Sequence, residues 1–382
     1  MRRAFRCARA RRTTVRRRAA APARAADARR APASHVPPQS GRTEQLSTAR
    51  PPRGRERRTS VTVAVMARLE IVVGGGADPS GRRGRDLRDR ALRGELVRLA
   101  PGRFVDADEW RRANPGERHI ARIKAVHDLL APRLVVSHAS AAALHGLPWP
   151  GEFPVAVEVL DPLRTTGQTL RTVHKRAGAG RRFRTDSMIA NGRSLTDRAS
   201  TVADLAVAYP IRTSVPALDV ALAAGTDRAD VLAALDAAGS VQFRARAERA
   251  IALADGRSGS PGESVARVAL DEVGAPEPEL QHRFDDVDGL IGVVDFWFPE
   301  QGVVLEFDGR VKYTDPSLRR AGQTAADVVV AEKHREDRIR RRPEVHGFGR
   351  IGFAETDDTE RLRDVLRVLG VPTTRRRFTT VR

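Results

Sequence analysis

The residues best suited to chemistry lie in one stretch, IGVVDFWFPEQGVVLEFDGRVKY, from Ile291 to Tyr313. Two β-rich runs, 291–298 and 303–308, flank Pro299-Glu300-Gln301-Gly302, which supplies turn chemistry. A hairpin about that turn pairs positions symmetrically, so that Phe298 faces Val303 and Asp295 faces Glu306. Side chains alternate along a strand, which puts Asp308 on the face of Glu306. These carboxylates then share one patch of sheet with Val293, Trp297 and Val304. Like charges opposite each other on a hairpin are destabilising, and a fold avoids them unless a cation sits between them. An all-oxygen ligand set suits a hard divalent ion, Mg²⁺ or Mn²⁺, rather than zinc. The alternative is a solvated strand face, against which the hydrophobic neighbours argue.

Several elements must position this hairpin. Ser260-Pro261-Gly262-Glu263 opens a helix carrying Val265, Val268, Ala269 and Val273. S-x-x-E with Pro at the first helical position is a capping box, so Glu263 has either a capping or a site role. Pro276-Glu277-Pro278-Glu279-Leu280-Gln281 leads into a first strand, with Gln281 placed to meet the site or solvent. A helix over 328–342 crowds Glu332, Lys333, Arg335, Glu336, Asp337 and Arg338. Its bland reading is a solvated face on which Lys333 and Asp337, four apart, pair. Pro343 stops it, a strand follows over 345–353, and an amphipathic helix runs over 359–369. The order is α-β-β-β-α-β-α.

Asp295, ten residues, then Glu306-Phe307-Asp308 resembles the active-site hairpin of the PD-(D/E)XK nuclease superfamily. Glu306-Phe307-Asp308-Gly309 followed by Lys312-Tyr313 resembles the small endonuclease-like domain related to very-short-patch-repair endonucleases. PEPELQ and Glu332-Lys333-x-Arg335-Glu336-Asp337 are similar to the same family, and the likeness covers about residues 260–370. The resemblance implies a restriction-endonuclease-like core. Within it Asp295 and Glu306 bind one Mg²⁺ or Mn²⁺, the Phe307 carbonyl is a third ligand, and Glu263 reaches the metal. The superfamily usually has Lys two residues after the Glu, and here Asp308 stands there. Asp308 then serves as general base or second-metal ligand, and Lys312 returns the missing charge. If neither happens, the domain binds DNA without cutting it.

The front of the globular chain suggests a small DNA-binding unit over 66–112. A helix over 82–93 exposes mostly arginine and ends at Gly94, a suitable C′ residue. The runs 96–99 and 103–105 flank Ala100-Pro101-Gly102 as a hairpin wing. Helix then wing is the winged-helix layout, with Arg83, Arg85, Arg88, Arg90, Arg93 and Arg98 as DNA contacts. The alternative is a purely structural α+β cap. This segment, with Ser137-His138-Ala139-Ser140-Ala141-Ala142-Ala143-Leu144-His145-Gly146-Leu147-Pro148 behind it, resembles abortive-infection type IV antitoxins. It departs from them at Gly74-Gly75-Gly76-Ala77-Asp78-Pro79, where an earlier helix of the trihelical core is expected. Gly76 to Gly81 fails as a phosphate loop, because Arg82 and Arg83 replace the Lys-Ser/Thr pair. His138 and His145 lack a completing Cys or carboxylate at ligand spacing and read as packed residues.

An amphipathic helix over 117–130 presents Ile120, Ile123, Val126, His127 and Leu130 on one side. Strands follow within 153–174, then helices over 194–254 punctuated by Gly225, Gly239 and Gly256. The expected architecture is a multidomain α/β (α+β) chain. Its parts are an Arg-rich tail (1–65), the winged-helix-like unit (66–112), an antitoxin-like α/β region (113–190), a helical connector (191–256), the endonuclease-like domain (257–372) and a basic tail (373–382).

Composition sets the outer bounds. The chain has 382 residues, 41% hydrophobic and 30% charged, enough for two or three globular domains. No apolar run approaches the roughly 18 residues that span a bilayer, and no secretory h-region is present. A single cysteine, Cys7, excludes an intrachain disulfide and cysteine-based zinc sites, in keeping with the cytoplasm. The net charge is +20, but residues 1–65 hold 18 Arg against Asp27, Glu44 and Glu56, or +15, leaving +5 for the rest. Only four of the 68 basic residues are lysine: Lys124, Lys175, Lys312 and Lys333. The tail reads as a transit peptide, a nucleic-acid-binding arm, or upstream sequence translated ahead of a start at Met66; we favour the last. Two functions compete: a metal-dependent DNA endonuclease in phage defence or repair, and a non-enzymatic antitoxin-like regulator on a degenerate nuclease fold. The expected partners are DNA and a homodimer mate or cognate toxin, with no membrane.

Overall fold

The computed structural model describes residues 69–74, 81–187, 194–239, 242–309 and 325–374, which fall in one unit, Ser60–Arg382. The tail 1–65, Met66, Lys312, Tyr313 and residues 375–382 lie outside the described residues.

The front consists of β1 (Val72–Val73), α1 (Arg82–Leu92), β2 (Leu96–Ala100) and β3 (Arg103–Asp106), with strand order β1-β3-β2. The expected helix and hairpin are both present. Leu87 of α1 is buried with Leu96 and Phe104, so one apolar side chain seats a helix whose other faces are charged. Gly94 follows α1 at φ 80°, the left-handed turn that glycine takes without steric cost.

Next come α2 (Ala107–Arg112) and α3 (Pro115–His127). Asp106 caps the first, and a reciprocal Asn114–Glu117 capping box starts the second. The stripe Ile120, Ile123, Val126, His127 and Leu130 is buried, as its spacing predicts. It packs on β4 (Val135–Val136), α4 (His138–Leu144) and a six-stranded sheet that adds β5 (Val157–Asp161), β6 (Gln168–Thr169), β7 (Val173–Ala177), β8 (Thr185–Ser187) and β9 (Ser194–Thr196). The order is β6-β7-β5-β4-β9-β8.

Four helices follow: α5 (Arg198–Ala208), α6 (Ile211–Ala223), α7 (Arg228–Ala238) and α8 (Arg244–Leu253). Their core takes in Val268 of the next helix, α9 (Pro261–Glu272), so bundle and C-terminal region share apolar packing. A buried Arg267–Asp219 ion pair and an Arg212–Glu272 hydrogen bond of 2.9 Å reinforce that seam.

The C-terminal part continues with β10 (Glu279–Asp286), β11 (Gly289–Phe298), β12 (Val303–Phe307), α10 (Ala325–Arg340), β13 (Gly347–Ile351), α11 (Phe353–Thr356) and α12 (Thr359–Leu369). The sheet order is β10-β11-β12-β13, with β10 to β12 antiparallel and β13 parallel to β12. One face buries Phe296, Phe298, Val303, Leu305 and Phe307 against α9 and α12. The other buries Val294, Trp297, Val304 and Phe348 with Ile339 of α10. Each such side chain contributes about 1.5–3 kcal/mol of burial, so the two faces together hold the hairpin rigidly. The described residues form a mixed α+β structure with three sheets. No helix among the described residues is long and apolar enough to cross a membrane.

Candidate active site

The hairpin register is the expected one at three pairs, Phe298↔Val303, Trp297↔Val304 and Phe296↔Leu305. The next step, Asp295 opposite Glu306, is not a paired position. Val294 and Phe296 should share a face, yet they lie in cores on opposite sides of the sheet. Leu280 and Phe284 on the neighbouring strand separate in the same way. Both strands therefore rotate between these points, and the rotation is centred on Gln281 and Asp295. Gln281 carries the strain, at φ 52°, a region seldom occupied by residues other than glycine.

That rotation decides where the carboxylates go. Asp295 Oδ2 accepts a 2.8 Å hydrogen bond from the Phe307 backbone N–H, doing the work of a ladder carbonyl. Gln281 Nε2 donates to Asp295 Oδ1 at 3.4 Å and to Glu263 Oε2 at 2.8 Å. Glu263 is buried and closes the start of α9, accepting from Gly259 N–H at 2.7 Å and Ser260 Oγ at 2.8 Å. Glu263 thus holds the start of the helix and, through the Gln281 amide, is linked to Asp295. Gly262 is needed beside it, because a Cβ there would collide with the Phe307 ring.

Glu306 faces α10. Its Oε1 receives Arg335 Nη2 at 2.6 Å, and Arg350 Nε stands 3.5 Å from Oε2. Burial pushes the Glu306 carboxyl up, the Arg335 hydrogen bond works in the opposite direction, and the charges of Glu332 and Asp295 add to the rise. Asp295 is therefore close enough to be felt by Glu306, though the two are not cross-strand partners. Burial disfavours the Arg335 charge, but hydrogen bonds to Glu332 and Glu306 hold its guanidinium above the usual range. Asp308 is half-buried, and its backbone N–H binds the Ile351 carbonyl at 2.8 Å.

The hairpin argument from sequence thus needs correction. A cation does stand against one of the carboxylates, Glu306, and it is a guanidinium. Lys312, expected to return the missing positive charge, lies outside the described residues, and Arg335 is the residue that meets Glu306. Among the described residues no group of three His, Cys, Asp or Glu side chains is arranged to hold a metal. The donors Asp295 and Glu306, with the Phe307 carbonyl nearby in sequence, remain chemically suited to a hard cation, which prefers carboxylate and carbonyl oxygen.

In the sequence, Arg335 is part of a motif resembling the endonuclease-like family, with a solvated face as the alternative, Arg350 is only part of a strand, and Gln281 stands between site and solvent. Gly292, under the Arg335 stem, is a second mark in the chain of where that side chain lies. At the front, Arg83, Arg85, Arg88, Arg93 and Arg98 are exposed, whereas Arg90 is half-buried. Arg90 and Arg93 pair with Glu95 at 3.1 and 2.6 Å, and α1 also carries Asp86 and Asp89, so its basic face is partly self-neutralised. His138 is buried against Ser137, and His145 meets the Thr196 carbonyl at 2.8 Å, which fits packed histidines.

Two uncharacterized proteins of Mycobacterium tuberculosis are similar to this chain: MT2308 of strain CDC 1551 / Oshkosh and Rv2248 of strain ATCC 25618 / H37Rv. Each is 28% identical over 230 residues, covering 57% of this chain and 82% of the relative. No protein-family model matches the chain, and no solved structure matches it.

Proposed function

We propose that the protein is a metal-dependent DNA endonuclease with a restriction-endonuclease-like C-terminal domain and a winged-helix-like, arginine-rich front that grips DNA. The reading rests on the meeting of Glu263, Gln281 and Asp295 where β10 and β11 rotate, with Glu306 within electrostatic reach. A helix acid and a hairpin acid are joined there by one amide at a strained backbone position. Such strain tends to be kept at functional sites. Asp295, Glu306 and the Phe307 carbonyl would hold one Mg²⁺ or Mn²⁺. When bound, that ion supplies activation of water and neutralisation of charge on the phosphodiester. Gln281 fixes Asp295 and Glu263 together, and Asp308, half-buried at the strand end, would serve as the general base for water. DNA enters from the arginine-bearing surface of α1 and the wing, whose contacts with phosphate set position rather than sequence. The expected setting is phage defence or repair in the cytoplasm, with a homodimer mate or cognate toxin as further partner.

A second reading is favoured by one observation: Glu306 is already neutralised by Arg335 and Arg350. The domain is then a DNA-binding regulator that does not cut. One experiment separates the two. The full chain is incubated with supercoiled plasmid and Mg²⁺ or Mn²⁺, beside Asp295→Ala and Glu306→Ala. The endonuclease nicks, and both variants lose at least about a hundredfold of that activity while retaining DNA binding. A salt-sensitive gel shift without nicking across varied DNA substrates would instead establish the regulator.

A further inference from the structure

Gly292 has a reason that lies on another element. A Cβ built there would come within 2.9 Å of Arg335 Cδ and 3.3 Å of its Cγ. The arginine stem therefore crosses β11 in a slot that any other residue would narrow. From that slot Nη1 donates to the Val293 carbonyl at 3.2 Å, and Nε to Glu332 Oε2 at 3.0 Å. Nη2 reaches Glu332 Oε1 and Glu306 Oε1, both at 2.6 Å. Arg350, beside Glu306 in the parallel β12–β13 register, joins Glu332 at 3.2 Å and Glu336 at 2.9 Å. The Glu306 side chain is 12% exposed and that of Arg335 21%, so their attraction is only partly screened by water.

We propose that Arg335 is the resting counter-cation of Glu306, and that a divalent cation binds at Asp295 and Glu306 only in competition with it. This inference rests on the metal-dependent reading above. Both cations neutralise the same carboxylate, so each weakens the other by the same coupling free energy. Glu332 gives the displaced guanidinium somewhere to stay, since it already holds Nε and Nη2 on the same helix, three residues away. Gly292 sets the strength of the latch by letting the stem lie close to the strand.

The test is Mn²⁺ binding by isothermal titration calorimetry on the full chain, with no DNA present. Arg335→Gln is expected to bind Mn²⁺ at least about tenfold more tightly than wild type, because a unit charge near the ion is removed. Arg335→Lys should return the affinity towards wild type. Gly292→Ala keeps every charge, lifts the arginine stem, and should tighten binding by a smaller factor. It also decides the matter if Arg335→Gln does not fold, since unchanged or weaker binding in Gly292→Ala then overturns the latch. Wild type that binds Mn²⁺ and an Arg335→Gln that binds no better would refute the competition while leaving the metal-dependent reading in place. Binding to none of the proteins, each shown to be folded, would remove that reading and the latch with it.

Discussion

Two carboxylates in this chain, Glu158, buried in the six-stranded sheet, and Glu306, half-buried in the C-terminal sheet, are held by arginine, and the difference between them separates architecture from a site. Glu158 is 2% exposed and takes hydrogen bonds from the Ala139 backbone N–H at 2.9 Å, the Tyr209 hydroxyl at 2.7 Å and Arg176. Its own N–H binds Ser140 Oγ at 2.8 Å, and Ser140 in turn binds His119. Beside Arg176, whose side chain is 28% exposed, Glu158 therefore has fixed neutral donors, a backbone N–H and a tyrosine hydroxyl, that stay in place whatever the arginine does. Among the described residues, the Glu306 side chain is instead met by the guanidinium ends of Arg335 and Arg350. A charge held by flexible side chains at the edge of burial can be handed to another cation, whereas one wired to the backbone cannot.

Breaking the two sites isosterically should give the largest contrast. Glu158→Gln leaves Arg176 without its counter-charge and sets an amide against donors, and is expected to cost about 3–5 kcal/mol in urea unfolding. Glu306→Gln in the same assay should cost about 1–2 kcal/mol, because Arg335 keeps Glu332. Equal losses would erase the distinction between the two sites.

Acid should sharpen the contrast from the side of the six-stranded sheet. Burial lowers His119 from 6.5 to about 4 and His138 to about 3, with Arg122 adding to the first shift and Glu158 opposing the second. Both are neutral in the fold and gain a proton on unfolding below pH 6.5. Their contribution is therefore complete above pH 6.5 and is lost as pH falls towards 4, at about 1.4 kcal/mol per pH unit for each group. Urea midpoints between pH 7.5 and 4.5 should fall accordingly. His138→Asn, which tolerates the φ of 51° at that position, should flatten the slope. A wild-type midpoint independent of pH over this range would show that the two histidines are not held neutral.

The smallest effect on stability belongs to the front of the chain. Arg83→Ala on the exposed face of α1 should leave the thermal midpoint unchanged. It should weaken DNA binding alike across sequences and lower the salt slope by about one. A shifted midpoint would mean that the α1 surface belongs to the fold rather than to a partner.

Much of this was legible in the chain because it depends on neighbours in sequence. The final helix runs over Thr359–Leu369 as read, since Asp358 caps it, Leu362 and Leu366 repeat at helical spacing, and Gly370 ends it at φ 81°. The turn at Pro299 to Gly302 fixes three hairpin pairs for the same local reason. Alternation then fails at Asp295, because a strand read by itself carries no sign of rotating, and the strained Gln281 belongs to another strand.

By itself the sequence determined most of the order of elements, the turn and the presence of acids near it, but it read the strand Ser194–Thr196 as helix and put the exposed Val293 on an apolar face. Periodicity, caps and turn residues act within a few positions, so they survive without knowledge of the fold. Only the tertiary structure decided which acids meet. Glu263 and Asp295 are joined through Gln281, and Glu306 is turned to Arg335 across 29 positions of chain. Pairings at that separation follow from how α9 and α10 pack on opposite faces of one sheet, and no local pattern encodes them.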